Sequence, residues 1–137
     1  MIEDLEREGL IRPFPGGNER VRDTLAIAHR DLDVANKLLP SSSDWAFSVA
    51  YNAILQAGRA MVFSKGYRPA GSNQHISVVR FCEEFLPPDD ARWFERMRRK
   101  RHQAVYDSAG SVSEQEAGNA VKKAAAILHM IESIIHE

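Results

Sequence analysis

The segment from Trp45 to Ser64 constrains the fold most, because on a helix its apolar side chains leave only a narrow polar strip. A helix that is apolar on almost every side is usually the central helix of a bundle. Gly58 and the alanines of this segment predict that a neighbouring helix approaches closely. No uncharged apolar run in the chain reaches the ~18–20 residues that span a bilayer, so no membrane association is predicted.

Further helices are predicted on both sides of this segment. Apolar residues recur at steps of three and four from Val21 to Leu39 and from Ala117 to Ile135, as one face of a helix requires. A shorter helix is predicted around Ile76–Leu86, and another from Asp89 to about Asp107. No segment alternates convincingly with period two. The predicted fold is therefore all-α, an up-and-down bundle of four long helices and one shorter helix.

The length of 137 residues fits one domain, and 18 basic against 19 acidic residues leave the net charge near zero. The single cysteine excludes a disulfide framework and a cysteine-based zinc site. We expect no metal and no cofactor. The acidic start, Met1-Ile2-Glu3-Asp4, has no basic region before an apolar stretch, so no secretory signal is predicted and a soluble, cytoplasmic protein is expected.

Residues 1–17 are predicted to form an N-terminal arm outside the main core, and residues 18–137 the helical bundle. Gly9, Pro13 and Pro15-Gly16-Gly17 interrupt any regular structure in the arm. Asn18 is the predicted N-cap of the first long helix. The arm carries four apolar residues that would otherwise lack an obvious core, and these favour packing against a partner: Leu5, Leu10, Ile11 and Phe14.

The helix that starts near Asp89 carries a local positive stripe in an otherwise neutral chain. Between Arg92 and Arg101 there are six basic residues and one acid, Glu95. Such a run is often a solvated charged face. It would also give sequence-independent attraction to nucleic acid, for which Arg98, Arg99 and Lys100 are the candidates.

Arg101 does not fit the solvated face. At ~100° per residue, Phe94, Met97 and Ala104 form the apolar stripe of this helix, with Arg101 in its middle and Arg98 at its edge. A guanidinium on a buried stripe is costly unless it is paired. Three explanations stay open: a partner acid in the core, a side chain that reaches the helix edge, or a cleft that receives an anion.

The sequence Arg101-His102-Gln103-Ala104-Val105-Tyr106 resembles the motif of the HEPN superfamily, which is an Arg, a polar residue, three further residues and a His. The segment 50–60 and the loop Gly66-Tyr67-Arg68-Pro69, followed by His75, are also similar to the family. The resemblance covers roughly residues 18–137. It implies a homodimer in which the motif helices meet at a two-fold axis and line a shared cleft. Active members are metal-independent RNases, and many prokaryotic members are toxins paired with a nucleotidyltransferase antitoxin.

The chain departs from the motif because Tyr106 occupies the position of the His. A phenol that titrates near ~10 is a poor base at neutral pH, whereas an imidazole near ~6.5 serves as acid and base. His102 is the candidate replacement. A second register, from Arg96 to His102, satisfies a loose spacing but puts its Arg on the polar face.

The leading hypothesis is a HEPN-like dimer that binds RNA or a nucleotide phosphate through Arg101, with His102 and Tyr106 as neighbouring polar groups. Arg68 is a candidate that reaches the same phosphate from its loop. Asn52 would hydrogen-bond Arg101 or Tyr106, or else be satisfied by the backbone. The alternatives are a non-catalytic module that docks a nucleotidyltransferase partner, and an active RNase toxin.

Overall fold

The computed structural model describes residues 2–137, which form six α-helices, one π-helical segment and a two-stranded antiparallel sheet. In chain order these elements are α1 (Ile2–Arg7), β1 (Ile11–Pro13), α2 (Asn18–Leu38), α3 (Ser43–Ser64), β2 (Tyr67–Pro69), α4 (Gln74–Glu83), α5 (Pro88–His102), the π segment (Gln103–Asp107) and α6 (Glu114–Ile135). The predicted all-α bundle is confirmed.

Helix α3 is the central helix, as its apolar circumference predicts. It packs against α2, α4, α5 and α6 and against strand β2. Gly58 lies where α3 meets Val78 and Cys82 of α4 and Phe94 of α5, so the absence of a side chain permits the predicted close approach. None of the helices within residues 2–137 is both long and apolar enough to cross a membrane.

The ends of the helices follow from local hydrogen bonds. Ser42 caps α3 by accepting from the Trp45 backbone N–H. Ser113 and Glu116 form a reciprocal capping box at the start of α6. The prediction for α2 is wrong by one residue, because Asn18 is already helical and Gly17 is the cap, without any side-chain bond.

The N-terminal arm does not lie outside the core, which corrects the expectation from sequence. Leu5 and Ile11 are only 2% and 1% exposed and belong to the central hydrophobic cluster. Strand β1 pairs with β2, with Ile11 opposite Pro69, and this pairing holds the arm against the bundle. Three residues per strand are too few to show a period of two in the sequence. The boundary at residue 17 stays a prediction, and Met1 lies outside the described residues.

Helix α5 continues directly into the π segment, whose helical turns are wider. The Ser108 backbone N–H donates to the Gln103 carbonyl at 3.0 Å, five residues earlier. π-Helical turns are rare and occur frequently at functional sites. Asp44 at the start of α3 anchors the following loop by accepting from the Gly110 and Val112 backbone N–H groups at 2.6 and 3.2 Å. The π segment is thereby attached to the bundle at both ends.

Candidate phosphate-binding cleft

An open cleft of about 350 Å³ lies where the start of α4 faces the end of α5 and the π segment. Its lining contains cations, imidazoles, an amide and a phenol, and none of the lining residues is acidic: Asn73, His75, Arg98, Arg101, His102 and Tyr106. A cleft of this composition offers hydrogen-bond donors and positive charge to a ligand.

Arg101 lies between two tyrosine rings. Its guanidinium carbon is 6.0 Å from the centroid of the Tyr51 ring and 5.9 Å from that of Tyr106. Its Nε atom is buried and has no hydrogen-bond partner among residues 2–137. Glu95, the acid of α5 nearest to Arg101 in sequence, bonds Arg98 and Arg99 instead. A partner acid in the core, one of the three explanations left open by the sequence, is therefore excluded for the described chain.

Arg98 is the second cation of the cleft, and its charge is largely compensated. Its Nη2 and Nε donate to the two carboxylate oxygens of Glu95 at 2.6 and 3.3 Å, and this bond raises the pKa of Arg98. Burial alone would raise the pKa of Glu95, but the bonds from Arg98 and then Arg99 outweigh burial and lower it. Arg101 is thus the uncompensated cation of the cleft.

His75 lines the cleft and forms a hydrogen-bonded pair with Tyr51, which is buried behind it. The Tyr51 hydroxyl lies 3.0 Å from His75 Nδ1, and the two rings are stacked with centroids 5.8 Å apart. Burial, with the charges of Arg101 and Arg98, lowers the pKa of His75. Burial raises the pKa of Tyr51 although the same arginines oppose it. At neutral pH the imidazole is therefore uncharged and the phenol keeps its proton.

His102 and Tyr106 form the outer rim. Their ring centroids are 5.0 Å apart, and Tyr106 is 66% exposed, which is unusual for so large an aromatic side chain. The structure therefore brings the three motif residues predicted from sequence, Arg101, His102 and Tyr106, to one cleft.

A family model described as HEPN domain matches residues 21–134. The chain belongs to the HEPN domain family. HEPN domains are commonly nucleotide-binding or RNase-related, and they often dimerise.

Two solved structures share the fold of this HEPN domain. TT1696 from Thermus thermophilus is 21% identical, with a TM-score of 0.68 over 83% of this chain and 97% of that one. ST0689, an archaeal HEPN homologue, is 18% identical, with a TM-score of 0.69 over 85% of this chain and 98% of that one. No curated protein matches the chain significantly.

The other basic candidates of the HEPN domain lie away from the cleft. Arg99 has a 75% exposed side chain and bonds Glu95. Lys100 faces α6, with its Nζ 3.9 Å from a carboxylate oxygen of Glu116. Arg68 lies on β2, opposite Arg12 of β1. None of the three predicted residues lines the cleft, so any part they take in binding is through longer-range charge.

Asn52 does not contact Arg101 or Tyr106, contrary to one of the two possibilities raised by the sequence. It donates to Asp31 Oδ2 at 2.7 Å, across the contact between α2 and α3, so it is not satisfied by the backbone alone. Asp31 is only 6% exposed and also accepts from Arg30. This pair stabilises the helix packing and has no contact with the cleft.

Sequence reasoning missed two residues that line the cleft, Asn73 and His75, and the buried Tyr51 that bonds His75 from behind it. His75 follows the loop that resembles the family, but no motif in the sequence assigns it to a ligand site. Tyr51 is 24 residues earlier, in a helix dominated by apolar side chains, so no local pattern joins the two. Within residues 2–137, no group of three or more His, Cys, Asp or Glu side chains is arranged to hold a metal ion.

Proposed function

We propose that this HEPN domain binds the phosphate group of RNA or of a nucleotide, with Arg101 as the principal ligand. The observation that carries the proposal is an arginine in an open cleft that forms no ion pair with any of residues 2–137. A partly buried guanidinium gains most from a charged partner, and a phosphate offers it charge-assisted hydrogen bonds.

The surroundings of Arg101 support an anionic ligand. The cleft contains no carboxylate that would repel a phosphate. The exposed Tyr106 ring at the rim suits stacking against a base, which favours a nucleic acid over inorganic phosphate. Arg99 and Lys100 on the remaining sides of α5 add attraction that is independent of sequence and weakens with salt.

We also propose that the domain acts as a homodimer in which two such clefts face each other. The support is the exposed Tyr106 at the rim of the cleft, together with the tendency of the family to dimerise. Light scattering coupled to size-exclusion chromatography tests this directly. A mass of twice 15.4 kDa is expected, and a monomer at all concentrations would contradict the homodimer.

The binding proposal is tested with fluorescently labelled single-stranded RNA and labelled ATP, using Arg101→Gln and the matched control Arg96→Gln. Arg96 lies on the same helix, but its guanidinium packs 5.2 Å from the Trp93 ring, outside the cleft. Both variants lose one positive charge. We expect Arg101→Gln to weaken binding by about 10- to 100-fold and Arg96→Gln to weaken it only slightly. Equal weakening by the two substitutions would refute Arg101 as the ligand. Comparison of labelled RNA with labelled ATP shows whether the cleft binds RNA or a nucleotide.

Cleavage of the bound RNA is a second candidate function. It is favoured by His102, an exposed imidazole in the cleft beside Arg101 and next to Tyr106. Incubation with labelled RNA without metal tests it, and His102→Ala should abolish the products. The third candidate is a non-catalytic module that docks a nucleotidyltransferase. It loses the support of the N-terminal arm because Leu5 and Ile11 are buried within the domain itself, while Tyr106 at the position of the motif His still favours it.

A further inference from the structure

The hydroxyl of Tyr51 has only one described partner. Tyr51 is 0% exposed, and its oxygen lies 3.0 Å from His75 Nδ1 with no second hydrogen-bond partner among residues 2–137. A buried hydroxyl whose hydrogen has no acceptor is costly. The hydroxyl therefore donates to Nδ1, because no other acceptor is within reach.

This direction of the bond decides which ring nitrogen of His75 carries the proton. A neutral imidazole has one N–H donor and one acceptor nitrogen. Since Nδ1 accepts from Tyr51, the proton lies on Nε2. The two ring nitrogens point in diverging directions, so Nε2 is directed away from the buried phenol. His75 lines the cleft together with Arg101. Nε2 has no hydrogen bond to another of residues 2–137, so Nε2–H is the polar group that His75 can offer a ligand.

We propose that His75 is a phosphate ligand of the cleft, held by Tyr51 as a neutral Nε2–H donor beside Arg101. This inference rests on the proposed function and adds a residue from α4 to it. Tyr51 is a positioning residue, since it acts only through the imidazole. The ligand class is an anion with several acceptor oxygens, such as a phosphodiester, which receives bonds from Arg101 and His75 together.

A neutral donor suits this position for an electrostatic reason. The charged or titratable groups around His75 are Arg98, Arg101 and His102 of α5, Tyr106 of the π segment and Tyr51 of α3. A further positive charge among two arginines would be repelled, and burial together with both arginines lowers the pKa of the imidazole. The uncharged N–H still provides a hydrogen bond to phosphate.

The same tautomer prevents His75 from replacing the base that the motif has lost. A general base needs a free lone pair directed at the proton it removes. The lone pair of His75 is directed at the Tyr51 hydroxyl, and Nε2, the other ring nitrogen, already carries a proton. His75 therefore binds the ligand without accepting a proton from it.

The tautomer is tested by two-bond ¹H–¹⁵N spectra of the ¹⁵N-labelled full chain at neutral pH, without any ligand. We expect a His75 pattern with protonated Nε2 and unprotonated Nδ1. In Tyr51→Phe, which keeps the ring but removes the hydroxyl, His75 should become a mixture of tautomers. Protonated Nδ1 in the wild type would overturn the inference, whether or not the domain binds RNA.

The binding role is tested with the same labelled RNA, using His75→Ala and the matched control His129→Ala on the exposed surface of α6. Loss of one hydrogen bond should weaken binding by about three- to tenfold, and the control should bind like the wild type. If Arg101→Gln weakens binding and His75→Ala does not, this inference fails while the proposed function stands. If neither substitution weakens binding, the proposed function itself fails. Cleavage that requires His75 while binding does not would also overturn the inference.

Discussion

The guanidinium of Arg101 lies over the ring of Tyr51, with 6.0 Å between the guanidinium carbon and the ring centroid. The hydroxyl of the same ring bonds His75 at 3.0 Å. One buried side chain of the central helix thus contacts a cation from α5 and an imidazole from α4. Tyr51 therefore fixes the positions of α4 and α5, which flank the cleft, relative to each other.

The pKa of His75 predicts a specific loss of stability in mild acid. An unfolded His titrates near ~6.5, and the folded-state pKa of His75 is lower. As the pH falls through this window, the unfolded chain binds a proton that the folded chain does not, so the free energy of unfolding decreases. Above the window both states are neutral and the contribution is fully present.

The measurement is urea denaturation of the wild type and His75→Gln between about pH 7.5 and about pH 5. Titrations common to both proteins cancel in the difference between their unfolding free energies. The wild type should lose more stability than the variant as the pH falls. Parallel curves would show that His75 titrates alike in the folded and unfolded chains.

The close packing around Gly58 predicts that a larger residue at this position destabilises the core. A Cβ at this position would lie 2.6 Å from Val78 Cγ1 and 3.0 Å from Cys82 Sγ, which is too close without movement of α4. Gly58→Ala should therefore destabilise the domain by about 1–3 kcal/mol. Gly118 of α6 is the matched control, because a Cβ there would meet no atom within 4 Å.

Gly118→Ala should instead stabilise the domain by about 0.5–1 kcal/mol, since alanine favours a helix over glycine. Chemical denaturation of both variants measures the two effects. Destabilisation by Gly58→Ala together with stabilisation by Gly118→Ala supports the close contact between α3 and α4 at Gly58. Stabilisation by both substitutions would contradict it.

The sequence predicts the bundle well because its helices obey strong local patterns. The apolar circumference of α3 is such a local signal, and its central position is confirmed. The capping box of Ser113 and Glu116 likewise depends only on residues three positions apart. The position of Arg101 follows from the same helical period. The apolar stripe of α5 predicts that Arg101 turns inward, and the structure places it in the lining of the cleft, which is one of the three explanations that the sequence left open. Its ligand stays a proposal.

The parts that the sequence did not predict depend on contacts between distant residues. Ile11 is buried because β1 pairs with β2, more than 50 residues later. Tyr51 and His75 are joined across two helices. The π segment keeps the same residues in helical order and changes only which carbonyl each N–H reaches, so apolar spacing does not reveal it.

The hydrogen bonds of Asp44 predict that the loop after the π segment becomes more mobile when they are weakened. Its carboxylate accepts from the Gly110 and Val112 backbone N–H groups. Asp44→Asn removes the negative charge, so both bonds weaken and amide hydrogen exchange in residues 108–112 should accelerate by about tenfold or more. Asp33→Asn, an exposed acid of α2, is the control. Unchanged exchange in Asp44→Asn would show that the loop is held by other contacts.

The central claim, that Arg101 binds phosphate, is tested most directly by the side-chain ¹⁵N–¹H resonances of Arg101 during titration with a dinucleoside monophosphate. The uncharged methylphosphonate analogue, which keeps both bases, is the control ligand. We predict a saturable shift of the Arg101 resonances with the phosphate, none of comparable size with the analogue, and none at Arg96. Arg101 resonances that stay unchanged at saturating phosphate, or that shift equally with both ligands, would contradict the account.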